Sequence, residues 1–527
     1  MFKNKFLMKA LALTVALTIV LTPVTALAEG MKEVNAEDQD RIEDLGDVKA
    51  DGEKEDAVEI WADGHKAEVT TGSLESADRN GLFTYAEHNA EINVDVKGDI
   101  NTPAEISPEK SASGVTTNAL WGSSQDINVN GNIISGDDGI TVKTSDRYEG
   151  DAAEQGDFGD SRTNIKVNGN ITADSTGIEV TASLGGENHI EVIGDVKGFA
   201  SGGDNPENDD GAIWATANNM DSRNDIAVKG DVTGDKMGVW MLIPYENSGN
   251  PENNVVIDGT LSAKQAAVIA ENLSNANAGK NTITVWKIET PGYTAAKWEY
   301  NEQDEENPFY LVEDEEAEKN IQYIIRVNQT ENATLTATDA DGNALARVTG
   351  AGGSVLEYAH EGDKVLLKID VADGYQLDAA YGDEGRQLEL VSDANDNYYI
   401  NVPRNGGVSF SVRLSKKEKK DDHDDKKDND QTAGTFVHSD STAVSLISAT
   451  PAGGSVTLSG LSGTGLSASV VSQLLAKRDI NVTLTFTING VTYQIVIPAG
   501  ADISKLVGAD GSISFAVLGQ AFRIAMV

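Results

Sequence analysis

A parallel β-solenoid is the fold class predicted for the first half of this chain, and three observations predict it. A seven-residue phrase recurs six times, each copy built on one glycine. Within the phrase, aliphatic and polar residues alternate. The shortest interval between copies suits one coil of a stacked tube.

The copies span 94–100, 127–133, 165–171, 190–196, 226–232 and 255–261, with bend glycines at Gly98, Gly131, Gly169, Gly194, Gly230 and Gly259. Four residues before the glycine stand Val94, Ile127, Ile165, Ile190, Ile226 and Val255. Two before it stand Val96, Val129, Val167, Val192, Val228 and Ile257, and two after it Ile100, Ile133, Ile171, Val196, Val232 and Leu261. A spacing of two predicts strands with one face turned inward. Glycine followed by Asp or Asn predicts a bend, because glycine reaches backbone angles closed to other residues and Asx side chains cap their own turns. A further strand is expected after Gly139, Gly177, Gly238 and Ala267, each eight residues past its bend glycine. The same phrase is expected later, after insertions, at Gly114 and Gly211. Weaker copies around Gly46 and Gly72 read as degenerate first coils or a cap.

One coil cannot fold alone. Its five or so aliphatic side chains stabilise it by about 1.5–3 kcal/mol each. Ordering some 25 residues costs about 1–2 kcal/mol apiece. Coils must therefore stack and support one another.

The N-terminus predicts export. Lys3, Lys5 and Lys9 precede an apolar run over 10–21, and Ala26-Leu27-Ala28 forms a small-x-small cleavage site before Glu29. These are the parts of a signal peptide over 1–28. No later segment is apolar enough to span a bilayer, so no integral membrane protein is expected after cleavage. No Leu-Pro-x-Thr-Gly sorting signal is present. Cysteine is absent, which excludes disulfides, thiolate metal sites and cysteine nucleophiles. The net charge is −44. Residues 431–527 balance four acids with four bases, so the negative charge lies in 29–430. Such a surface repels nucleic acid and anionic membranes. Calcium is admissible on charge alone, with no specific motif behind it, and no other cofactor is expected.

The expected domains follow from composition. Residues 29–290 form the coils, with 29–90 as degenerate coils or cap. An acidic boundary segment covers 291–319, where Trp286, Trp298 and Tyr300 are placed to close the open end of the tube. Residues 320–414 alternate as a β-sandwich-like module. A charged disordered linker covers 415–434. Residues 435–527 form a small α+β module, with a helix over 467–477 and a hairpin at Asn489-Gly490.

The recurring phrase resembles the right-handed parallel β-helix family, which includes pectate lyases, autotransporter passengers and adhesin-like proteins, over about residues 40–290. Glu361-Gly362-Asp363-Lys364-Val365, Gly374-Tyr375 and the strand-like stretch 398–414 resemble the Ig-like modules of secreted Gram-positive proteins. The hairpin and Ile497-Pro498-Ala499-Gly500 resemble a C-terminal module of clostridial extracellular proteins, and its neutral charge leads us to expect wall association through 435–527.

Enzymes of the β-helix family use clustered aspartates, or acids with a nearby Arg or Lys. The corresponding candidates are Asp209 and Asp210, with Arg162 and Arg223 near one corner. Against them, the slot holding Asp209-Asp210 equates with Asp137-Asp138, Ser175-Thr176 and Lys236-Met237 in other coils, which suits a turn better than a catalytic pair. The hydrolases' Gly-His-Gly and Arg-Ile-Lys elements are absent. The six histidines show no metal-ligand spacing, and His189 reads as a loop cap. Insertions at 101–113, 143–162, 199–210 and 244–252 are the expected binding loops, although their aromatics are few: Tyr148, Phe158, Phe199 and Tyr245.

The expectation is therefore a non-catalytic, adhesin-like extracellular scaffold at the cell surface that binds a glycan or a host or matrix protein. A β-helix polysaccharide lyase or glycoside hydrolase is the first alternative, and a structural wall-layer protein the second.

Overall fold

The computed structural model describes residues 28–52, 55–102, 112–146, 160–199, 211–244, 249–273, 279–301, 309–382, 398–417, 435–436, 440–451, 453–461, 465–488, 491–508, 512–522 and 524–526. The expected signal peptide and most of the charged linker lie outside these residues, as do Asp209, Asp210, Tyr148, Phe158 and Tyr245.

The chain is mainly β, and its first part is built of long parallel strand stacks. Each coil contributes three strands. A front strand precedes the bend glycine, a short strand follows it, and a back strand completes the coil. In the coil around Gly169 these are Arg162–Val167, Ile171–Ala173 and Ile178–Ser183. The back sheet holds ten parallel strands, from Lys32–Ala36 to Tyr293–Tyr300, and ends in the antiparallel Phe309–Glu313.

The register places the aliphatic columns where the alternation predicts them. Val94, Ile127, Ile165, Ile190, Ile226 and Val255 are successive partners, and so are the columns of Val96 and Ile100. All are buried. The segments around Gly46 and Gly72 are full coils in the same register, Val48↔Leu74↔Ile100. A seventh copy follows the six. Lys280–Glu289 aligns Ile283, Val285 and Ile288 with the three columns, with one residue fewer between the last two, so the register shifts opposite Asp258 and Gly259. Tyr293–Tyr300 then pairs with Ala266–Asn272. The coil stack therefore runs past residue 290, through part of the expected boundary segment.

Two expected roles of the bend residues are corrected. Gly131, Gly169, Gly194, Gly230 and Gly259 do not adopt positive φ. They are glycines because the rungs touch there. A Cβ on Gly230 would stand 2.7 Å from the carbonyl oxygen of Gly194, and the others would meet the preceding glycine likewise. The following Asx does not cap its own turn. Asp99 Oδ1 accepts the Asn132 N–H at 2.6 Å, Asn132 Oδ1 that of Asn170 at 3.0 Å, and Asn170 Oδ1 that of Asp195 at 2.8 Å. Asp195 and Asp231 continue the series to Thr260. Each side chain thus satisfies a backbone donor one rung further on.

A second ladder lies inside the tube. Asn188 Nδ2 donates to Asn224 Oδ1 at 2.8 Å, Asn224 to Asn253 at 2.8 Å, and Asn253 to Asn281 at 2.9 Å. Each amide also reaches a backbone carbonyl, as Asn224 does to Thr216. Buried amides are tolerated here because their partners are supplied by the same column.

The chain divides into two compact units. The first comprises the coils with 345–363 and 402–407. The hairpin of Ala346–Thr349 and Val355–His360 belongs to it, and the Gly352 N–H reaches Glu191 at 2.9 Å. The stretch 320–414, expected as one module, is thus shared between units. In the second unit, Ala333–Thr338, Lys364–Val371 and Tyr398–Asn401 form an antiparallel sheet. Further on, the helix Ala468–Ala476 is capped by Ser467, and Asn481–Ile488 pairs antiparallel with Val491–Ile497. The helices Asp440–Ala449 and Phe515–Ala521 complete that region, where Phe486 stacks on Phe515 at 4.0 Å.

Candidate functional site

Outward-facing positions of the front sheet carry charge in alternation. Arg162, Glu187, Arg223, Glu252 and Lys280 are successive partners in one column. Arg162 and Arg223 stand two rungs apart, as expected, but with Glu187 between them. Arg162 pairs with Glu187 at 2.8 Å, and Arg223 with Asp225 at 2.6 Å. Both guanidiniums are spent on neighbouring carboxylates, so neither is placed as a free base. His189 is an exposed residue of the strand Glu187–Val192, not a loop cap. It lines a groove of about 500 Å³ with Arg223, Asp225, Glu252, Lys280 and, from the hairpin, Arg347 and Tyr358.

The back sheet carries a richer groove, of about 640 Å³. Its floor is the outer face of five successive rungs, Val58–Asp63 to Ile178–Ser183. Glu59, Phe83, Thr116, Thr141 and Glu179 occupy one outward column, while Trp61, Tyr85 and Lys143 occupy the next. Trp61 lies 4.8 Å from Tyr85 and 5.7 Å from Phe83 between ring centroids, and its Nε1 donates to Glu59 at 2.6 Å. Three aromatic rings thus stand side by side next to hydrogen-bonding groups.

Turn residues form the groove's wall. Asp56 is buried and accepts the Asn80 N–H at 2.9 Å, with Arg79 at 3.8 Å. Burial pushes its carboxyl up from the ordinary range. Asp138 accepts the Thr176 N–H at 3.1 Å and the Thr141 hydroxyl at 3.3 Å. Burial, with Asp137 and Glu179 close by, pushes Asp138 up to about 8. Asp56 and Asp138 are three rungs apart, about 14 Å along the stack. That is too far for a paired acid and base across one glycosidic bond, which needs about 5–9.5 Å.

The register also corrects the equivalence assumed for Asp209 and Asp210. Gly211 partners Met237 and Ile213 partners Ile178, so Ala212 matches Gly177 and Gly139. The position of Asp138 is held by Gly211 in that coil, not by Asp210. The aromatic strip went unrecognised in the sequence because it falls in coils with a weak phrase. Carrying the 24-residue interval from Val58 to Leu82 would have aligned Trp61 with Tyr85. A second aromatic group, Trp214 stacked on Trp240 at 5.2 Å, lies further along the same sheet. Trp240 is buried with Met237, Ile269 and Ala296 and acts as core.

No family model matches the chain, and no curated protein or solved structure matches it either.

Proposed function

We propose that the chain is an exported, cell-surface scaffold that binds a glycan in the back-sheet groove without transforming it. The strip of Trp61, Phe83 and Tyr85 carries this reading. Aromatic faces receive the C–H faces of sugar rings, and flanking polar groups fix the hydroxyls. Glu59, Asp56 and Glu179 outnumber Arg79 and Lys143 in the groove, which favours neutral or amino sugars over uronic acids. The resemblance to adhesin-like β-helices and the features of residues 1–28 support display outside the cell. A glycan array probed with the full chain tests the reading. A hit on neutral or amino sugars that weakens at least tenfold in Trp61→Ala supports it. Binding untouched by Trp61→Ala, or confined to protein ligands, removes the groove from the account.

One observation favours the lyase or hydrolase alternative. Burial, with Asp137 and Glu179 close by, raises the Asp138 carboxyl to about 8, so it keeps its proton near neutral pH, as a general acid acting on a glycosidic bond must. Release of reducing ends or unsaturated products from a polysaccharide panel, abolished in Asp138→Asn, would establish catalysis. Binding without turnover in both proteins supports the scaffold.

A further inference from the structure

The far end of the same two back strands holds a group that the glycan groove does not use. Asp63 closes the strand Val58–Asp63 and Glu87 closes Leu82–Glu87, and the two are register partners. Two carboxylates are thereby fixed about one rung spacing, ~4.8 Å, apart. In the front-sheet column of Arg162, Glu187, Arg223 and Glu252 the in-register charges alternate in sign. At Asp63 and Glu87 the signs are alike. Among the described residues no Lys or Arg pairs with either, and Asp63 is met instead by His88, whose Nδ1 lies 2.7 Å away.

His88 is held firmly. Its φ is 55°, followed by Asn89 at 63°, so the chain turns sharply and aims the ring back at the strand ends. Trp121, on the next rung, stacks on the imidazole at 4.5 Å and 18°. Tyr85 donates its hydroxyl to Glu87 at 3.2 Å, which orients that carboxylate from outside the group. One nitrogen of His88 and one oxygen each of Asp63 and Glu87 all lie within 4.8 Å of one another.

We infer that Asp63, Glu87 and His88 bind a first-row divalent cation of the zinc or manganese type. Donor atoms bonded to one ion at about 2.0–2.2 Å stand at most about 4.4 Å apart, so atoms within 4.8 Å of one another need to close by only a few tenths of an ångström to share it, with water completing the shell. Two carboxylates and a neutral imidazole balance a charge of +2. A nitrogen donor among oxygens selects borderline ions over calcium and magnesium, which prefer oxygen alone. The ion would also remove the like-charge repulsion between adjacent rungs.

Zinc titration of the full chain by calorimetry and equilibrium dialysis tests this. One equivalent of zinc is expected, with affinity falling at least tenfold in His88→Ala and in Asp63→Asn. Cobalt should quench indole emission through the stacked Trp121. Trp121→Phe should lose that quenching while still taking up zinc, which separates ion binding from damage to the fold. No zinc uptake at about 1 mM, or uptake that His88→Ala leaves unchanged, overturns the assignment. Because Asp63, Glu87 and His88 meet the aromatic strip only through the Tyr85 hydroxyl, Trp61→Ala separates the two readings: it should lose glycan binding and keep zinc uptake.

Discussion

Asp138 shows how one side chain answers to two demands. Its Oδ1 satisfies the Thr176 N–H in the next rung, which is a structural task. Its setting also holds the proton well above the usual carboxyl range, to about 8. In the unfolded chain the same carboxyl ionises near the ordinary aspartate value of 3.8. Between roughly pH 4 and 8 the folded state therefore binds more protons, and stability falls as pH rises through that window. Asp138→Asn should flatten the slope, so that the variant gains on the wild type at pH 8 and not at pH 4. Thermal midpoints across this range check the sign; parallel curves for the two proteins would refute it.

At the scale of the element, the ladders and the exposed ion pairs differ in worth. Arg162 and Glu187 are both solvent-exposed, and such a pair contributes about 0–1 kcal/mol. Asn224 is fully buried and joins Asn188, Asn253 and the Thr216 carbonyl. Asn224→Ala strands the Thr216 carbonyl and Asn253 Oδ1 without that donor, at about 1–3 kcal/mol. Urea unfolding should show that loss, against a change under about 1 kcal/mol for Arg162→Ala. Equal effects of the two substitutions would contradict the ladder's role. The asparagine column was visible six residues before each of three bend glycines, Gly194, Gly230 and Gly259. It does not stand out as a column, because Gly98, Gly131 and Gly169 have Ile92, Gln125 and Thr163 there, and a buried polar residue has no signature until its partners are known.

The whole molecule concentrates its negative charge in 29–430 and has no cysteine to staple it. Repulsion between acids opposes the compact state, and dissolved salt screens it over roughly 8–10 Å at physiological strength. Raising sodium chloride from low to physiological concentration should therefore raise the melting temperature. A melting temperature that falls or stays level would mean that local pairs such as Lys66–Glu91 outweigh the global field.

The mainly β character and the buried columns of Val and Ile were legible in the amino-acid order, because alternation along a strand is a property of a few adjacent residues, whereas the reason for the glycines, contact with the preceding rung, was not. Spatial proximity between coils was not. The intervals between bend glycines are 33, 38, 25, 36 and 29 residues, so counting cannot say which side chains face each other across a rung. A regular 24-residue step pairs Trp61 with Tyr85 and Asp63 with Glu87, but only the tertiary register shows that the chain takes that step there and sets Glu187 between two arginines. It alone assigns the hairpin at 346–360 to the coil unit. Local patterning selects the strand and its inner face, while the outer face acquires its chemistry from neighbours that folding brings about 4.8 Å apart.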